Sequence, residues 1–157
     1  MPELRVVPLD TERARALRAR RIDDFGNAMS VRRTTDGGYP CRHCLRDIDE
    51  GHDLLLLAYS PFSAPGPYSE VGPIFICADD CPAYRATERL PGIVTDRLVT
   101  VRAYDGDNEI IYGTADVIDG AEAQGPVERL LARPDTAYVH IRTARNGCFL
   151  CEVRRAA

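Results

Sequence analysis

Residues 53–59 read DLLLLAY, an apolar run short enough to form a strand that is buried on both faces. One pair of cysteines, Cys41 and Cys44, precedes this run, and a second pair, Cys77 and Cys81, follows it. How the chain folds around the run therefore depends on whether the four thiols meet at one point.

Local conformation decides whether each pair can bind a metal. Two cysteines separated by two residues aim both sulfurs at one point in a tight turn, whereas in a strand they lie on opposite faces. The turn DGGYP at residues 36–40 leads into the first pair, and the sequence ADDCP at residues 78–82 favours a turn in the second. Four thiolates close a tetrahedral structural site. We therefore predict a zinc site, with iron as the alternative metal, on these ligands: Cys41, Cys44, Cys77 and Cys81.

The third pair, Cys148 and Cys151, lies in a predicted C-terminal strand. With a two-residue turn at Asn146-Gly147, Cys148 is predicted to share the face of Ile141, and Cys151 the opposite face with His140. A strand pair of this kind cannot chelate one ion, so we interpret both as buried thiols. Either could still replace one of the four ligands.

Other uses of the cysteines and histidines stay open. All six cysteines could be small core residues, since free cysteine is often buried. His52 could be a substitute ligand, although a solvated turn residue is favoured. His140 could line a pocket with Tyr104 or Tyr112, although a histidine satisfied within the sheet is favoured. A thioredoxin-like pair needs a following helix, which residues 45–51 do not offer. A deaminase needs an upstream H-x-E motif, which the sequence lacks.

The pattern along the chain predicts an α+β fold: a single domain over residues 1–157 with a mainly antiparallel sheet of about eight short strands and two helices. One helix is TERARALRARR at residues 11–21, capped by Asp10 or Thr11, and the other begins near Gly125-Pro126. The predicted strands are residues 4–8, 29–33, 53–59, 74–77, 98–104 and 109–118 and a final hairpin of TAYVHIR and CFLCEVR.

Composition limits the classes of partner. The net charge of −4 argues against a nucleic-acid surface, despite the arginines of residues 13–21, which we interpret as a solvated helix face. No apolar run approaches the roughly 20 residues of a membrane span, and no secretory signal is evident, so we expect a cytoplasmic location. The loop at residues 60–73 carries four prolines and two glycines, with Phe62, Tyr68 and Val71 as residues that fold it onto the body. We expect an unknown protein or small-molecule partner at this loop.

Four blocks carry a resemblance to a known family: YPCRHCLRDIDEG, GPYSEVGPIFICADDC, VRAYD and HIRTARNGCFL. In this order and at these separations they resemble the bacterial family called domain of unknown function 1203. The resemblance spans most of the chain and implies a single compact domain, without an activity to carry over.

Two functions are consistent with these features. The first is a cytoplasmic binding or accessory module stabilised by a structural zinc on the four cysteines. The alternative is a thiol- or metal-dependent enzyme that uses Cys41 or Cys148 with His140. A third hypothesis, nucleic-acid binding through the arginine-rich helix, is the weakest.

Overall fold

Ten strands in three sheets and three short α-helices form the fold of residues 2–85 and 88–157, which the computed structural model describes. The named strand pairs are all antiparallel, so the predicted α+β class with mainly antiparallel pairing is confirmed. The strands are β1 (Leu4–Val7), β2 (Ser30–Arg33), β3 (Tyr39–Pro40), β4 (Asp47–Ile48), β5 (Asp53–Tyr59), β6 (Gly72–Cys77), β7 (Leu98–Tyr104), β8 (Asp116–Asp119), β9 (Tyr138–Thr143) and β10 (Phe149–Arg155). The helices are α1 (Thr11–Arg20), α2 (Gly92–Thr95) and α3 (Gln124–Ala132), with a 3-10 turn at Gly120–Glu122.

The large sheet has the strand order β1-β10-β9-β7-β8. Alternate residues of its strands point to one face and pack against α2 and α3, which forms the larger hydrophobic core. The buried members from these elements include Val99, Val101, Val139, Ile141, Val153, Ile93, Val127 and Leu131. The opposite face of β7 and β9 carries polar and aromatic side chains.

The small sheet has the order β2-β5-β6, so the DLLLLAY run is its central strand. Leu54, Leu55 and Leu57 are buried there, in a second core that helix α1 completes with Ala14 and Leu17. Helix α1 begins where predicted because the Asp10 side chain accepts a hydrogen bond from the backbone N–H of Arg13 at 3.0 Å.

The third sheet is the short ribbon of β3 and β4, which encloses residues 41–45, CRHCL, here called the cysteine turn. Its last residue, Leu45, has a φ of +54°, a left-handed conformation that is unusual for leucine. The Leu45 side chain is buried in the larger core, whereas Cys41 and Cys44 lie in the second core. The cysteine turn therefore joins the two cores.

Two sequence-based expectations about the strands were wrong. The predicted strand 109–118 is β8 at Asp116–Asp119, and the segment before it makes only an isolated bridge, Tyr104 with Ile110. In the C-terminal hairpin, the register shifts between Phe149 and Cys151, so that Cys151 lies opposite Ile141. This β-bulge places Cys151 in the larger core rather than on the face of His140.

Over the described residues, each helix is too short or too polar to cross a membrane.

Candidate metal centre

Four sulfur atoms converge at the edge of the second core. The Sγ atoms of Cys41, Cys44, Cys77 and Cys81 all lie within 4.8 Å of one another, and those of Cys41 and Cys81 are 3.9 Å apart. A tetrahedral Zn²⁺ with Zn–S bonds of about 2.3 Å requires sulfur atoms about 3.8 Å apart. The four predicted ligands are therefore brought together in an arrangement that could hold a metal ion.

The cysteine turn supplies two of the sulfurs. Its geometry is held by backbone hydrogen bonds from the N–H of Leu45 to the Cys41 carbonyl at 2.9 Å and from the N–H of Cys41 to the Arg46 carbonyl at 3.0 Å. Arg42, between the cysteines, donates through Nε to the Phe149 carbonyl of β10 at 2.7 Å. The turn is thus attached to the large sheet while both cysteines face the small one.

The last residue of strand β6 and the turn that follows it supply the other two sulfurs. Cys77 ends this strand, paired with Leu54 of β5, and Cys81 follows after the turn at Asp79 and Asp80. The backbone N–H of Cys77 donates to Cys41 Sγ at 3.3 Å. A donor of this kind stabilises a thiolate, so the end of β6 contributes both ligands and a hydrogen bond to a ligand.

Arg18 and His43 hold Cys81 from outside the cluster. Arg18, whose side chain is 9% exposed, donates through Nη2 to Cys81 Sγ at 3.1 Å and through Nε to the Cys77 carbonyl at 2.9 Å. His43 Nδ1 lies 3.2 Å from Cys81 Sγ, and its Nε2 lies 2.9 Å from Thr11 Oγ1. Burial, and then the charge of Arg18, lower the pKa of His43, which favours the neutral ring.

The thiols of the cluster influence one another strongly. Hydrogen bonds from Cys44, and then from Cys77 and Cys81, lower the pKa of Cys41. Hydrogen bonding with Cys41 and then Cys44 raises the pKa of Cys77 and of Cys81. Hydrogen bonding with Cys41 opposes ionisation of Cys44, but hydrogen bonds with Cys77 and Cys81 lower the pKa of Cys44 to about 7. Thiolates at Cys41 and Cys44 are therefore favoured over thiolates at Cys77 and Cys81, because like charges at this distance repel. A divalent cation at the centre removes that repulsion and favours four thiolates.

A cleft of about 360 Å³ opens beside the cluster and reaches Cys44, Cys77 and Cys81. Cys77 and Cys81 are half-buried, so this side of the cluster faces solvent. The cleft is also lined by carboxylates and a histidine: Asp47, Asp49, Asp53, Asp79, Asp80 and His52. His52 is exposed and does not belong to the group of four converging residues. Arg46 also lines the cleft, and Asp47, Asp53 and Asp80 are each paired with an arginine, so much of the acidic charge is balanced.

The third cysteine pair does not join the cluster. Cys151 is fully buried, and burial raises its pKa to about 12, as suits an unreactive core thiol. Cys148 is half-buried, so the expectation that Cys148 and Cys151 are both buried thiols was wrong for Cys148. The backbone N–H of Cys148 donates to Thr143 Oγ1 at 3.0 Å.

His140 is fully buried on the polar face of the large sheet. Its Nε2 lies 3.1 Å from Glu152 Oε2, and its ring packs against Tyr104 with a centroid distance of 4.8 Å. Burial lowers the pKa of His140, against the opposing effect of Glu152. Tyr104 is thus a neighbour as expected, whereas Tyr112 is 77% exposed.

The proline-rich loop covers this polar face. Phe62 packs edge-on against Tyr104 and His140, with ring centroids 5.4 Å and 5.1 Å apart. The hydroxyl groups of Tyr68 and Tyr112 form a hydrogen bond of 3.0 Å. The expectation that the loop folds onto the body is confirmed for Phe62 and Tyr68. Val71 is 55% exposed and does not anchor it.

Residues 38–155 match the model of a family described as protein of unknown function, DUF1203. The chain belongs to the DUF1203 family. No curated protein and no solved structure matches the chain. The DUF1203 match contains all four clustered cysteines and the covering loop, whereas helix α1 with Arg18 precedes it.

Sequence reasoning missed Arg18 and His43 as residues that support the cluster. For Arg18 a signal existed, because it follows Ala14 by four residues and Leu17 by one, beside the apolar stripe of α1. An arginine at the edge of a buried stripe has to find a polar partner. His43 carried no comparable signal, since nothing in the C-x-x-C spacing indicates which way an intervening side chain points.

Proposed function

We propose that this DUF1203 protein is a small cytoplasmic zinc-binding protein in which Cys41, Cys44, Cys77 and Cys81 hold one structural Zn²⁺. The observation that carries the proposal is the convergence of the four sulfurs within 4.8 Å. Four cysteine ligands leave no open position for substrate, which is typical of structural zinc sites. Iron is the other metal that a four-thiolate site suits.

The zinc would act as a clamp between the cysteine turn and the end of β6. Cys77 pairs with Leu54 at the start of β5, so the clamp would hold one end of the β5–β6 hairpin. The loop that joins these strands lies at the other end of the hairpin. Fixing the hairpin would therefore position the loop over the polar face of the large sheet.

We place the binding or accessory role at this loop, residues 60–73, with an unknown protein or small molecule as the partner. Its support is the contact of Phe62 with the buried His140 and the ion pairs of Glu70 with Arg102 and Arg142. The net charge of −4 makes nucleic acid an unlikely partner.

The alternative, an enzyme that uses Cys41 or Cys148 with His140, has less support. Cys41 has no exposed surface and is surrounded by the other cluster thiols. Cys148 Sγ lies 3.9 Å from the Asn146 carbonyl, while His140 is held by Glu152. A nucleophile needs a base within hydrogen-bond reach, and the contacts of Cys148 among the described residues do not include His140.

Hydrogen exchange before and after metal removal tests the clamp. Once a chelator has removed the zinc, we expect amide exchange in β5 and β6 to accelerate by about tenfold or more, since local opening costs less without the clamp. Strands β7 and β9 of the large sheet serve as the internal control and should keep their protection. Unchanged exchange in β5 and β6 after verified zinc loss would contradict the clamp.

A further inference from the structure

Arg142 has an unusual environment on the polar face of the large sheet. It lies on β9, opposite Thr100 of β7, and its side chain is only 5% exposed. Its Nη1 donates to the Gly147 carbonyl at 3.2 Å and lies 3.4 Å from Glu70 Oε2. Its Nε and Nη2 are buried and have no hydrogen-bond partner among the described residues. Buried donors without partners are rare and call for an explanation.

The two free nitrogens form one edge of the guanidinium. The N–H bond of Nε and the nearer N–H bond of Nη2 are parallel, so the two donors point in the same direction. This spacing matches the two oxygens of a carboxylate, which can accept both hydrogen bonds at once. The free part of Arg142 is thus a complete bidentate recognition edge.

The charges around Arg142 are not balanced, which favours the binding of an anion. Arg102 Nη1 donates to Glu70 Oε1 at 2.7 Å, so the single carboxylate of Glu70 serves both Arg102 and Arg142. Two guanidiniums thus face one carboxylate, which leaves one positive charge in excess. A buried charge in excess is costly unless it is paired.

A cleft of about 230 Å³ adjoins Arg142, between the proline-rich loop and the β9–β10 turn. Its lining is mixed: Glu70, Arg142 and Asn146 supply polar groups, and the apolar or aromatic side chains are Tyr59, Pro61, Val71, Pro73, Ile74, Cys148 and Phe149. Tyr59 and Phe149 pack against each other with ring centroids 5.9 Å apart. The aromatic pair therefore gives a small, flat ligand a surface to pack against, next to polar groups and a cationic anchor.

We propose that Arg142 anchors a small organic carboxylate with an apolar or aromatic body, bound in this cleft beneath the proline-rich loop. The inference rests on the proposed binding role of the loop and names the class of its ligand. The free edge is screened from water, so binding at this edge requires the loop to shift as the ligand enters. Glu70 belongs to this loop, and its side chain is 46% exposed. A shift of the loop would therefore move the Glu70 carboxylate away from Arg142.

Benzoate and its neutral analogue benzamide are suitable probes. Titration of the whole protein, followed by the NMR signals of the β9–β10 turn, should show saturable benzoate binding. Benzamide has a similar shape but no charge, and its binding should be at least about tenfold weaker, because it loses the charge-assisted pair. Bound benzoate should also slow alkylation of Cys148, which lines the cleft.

Two substitutions locate the anchor. Arg142→Gln should abolish the preference for benzoate, whereas Arg145→Gln removes the same charge from an exposed residue of the neighbouring turn and should leave binding unchanged. Glu70→Gln should strengthen benzoate binding several-fold, because it removes the negative charge that lies beside Arg142 Nη1 and repels a carboxylate ligand. Equal binding of benzoate and benzamide by the unaltered protein would overturn the proposal, even if Arg142→Gln fails to fold.

Zinc content, measured on the same samples, separates this inference from the proposed clamp. Full zinc without saturable benzoate binding would overturn the carboxylate site and leave the clamp intact. Benzoate binding in a protein that purifies without metal would support the site and contradict the clamp.

Discussion

Replacing Cys44 with serine is expected to remove the metal and to lower the free energy of unfolding by more than about 4 kcal/mol. Three thiolates bind Zn²⁺ far more weakly than four, and the binding free energy of a structural zinc is part of the folding free energy. Cys44 is also 7% exposed within the second core, so the serine hydroxyl would be buried among sulfurs. Metal analysis and urea unfolding measure the two effects.

Cys148→Ser is the matched control, because it makes the same chemical change at a half-buried cysteine outside the cluster. It should keep its full metal content and most of its stability. Retention of full metal in the Cys44→Ser protein would refute this ligand set.

Arg18→Gln is expected to weaken zinc binding by about 10- to 100-fold while still allowing the site to fill at high zinc. Four thiolates and Zn²⁺ carry a net charge of −2, and Arg18 places a cation against Cys81 at 3.1 Å. Its second hydrogen bond, to the Cys77 carbonyl at 2.9 Å, orients the turn between the two ligands. Glutamine removes the charge and cannot make both contacts.

Competition against a coloured zinc chelator measures this loss of affinity. Arg15→Gln is the control on the same helix, since Arg15 is 61% exposed and pairs only with Glu12 among the described residues. An affinity for zinc equal to that of the unaltered protein in Arg18→Gln would show that Arg18 does not support the metal site.

The parts of the fold that follow local rules were predictable from sequence. Asp10 caps α1 as expected, and turns placed both cysteine pairs in conformations that can chelate. The bulge between Phe149 and Cys151 was not predictable, because it depends on packing against other strands. A shift of one residue then moved Cys151 to the opposite face.

The neighbours of the candidate sites were also beyond sequence reasoning. Arg18 and Cys81 are 63 positions apart, and only the packing of α1 against the small sheet brings them together. Glu70 and Arg142 likewise meet because the loop folds over the large sheet. Spacing rules describe single segments, so they find ligands within a turn but not the partners that other segments supply.

Native mass spectrometry combined with elemental analysis, on protein purified without chelator, tests the zinc clamp most directly. We predict one zinc ion per chain. Denaturation should release this ion and replace the narrow charge-state distribution of the folded protein with a broad one. One iron per chain would preserve the ligand set and overturn the zinc assignment. A metal-free protein with all six thiols titratable would contradict the clamp itself.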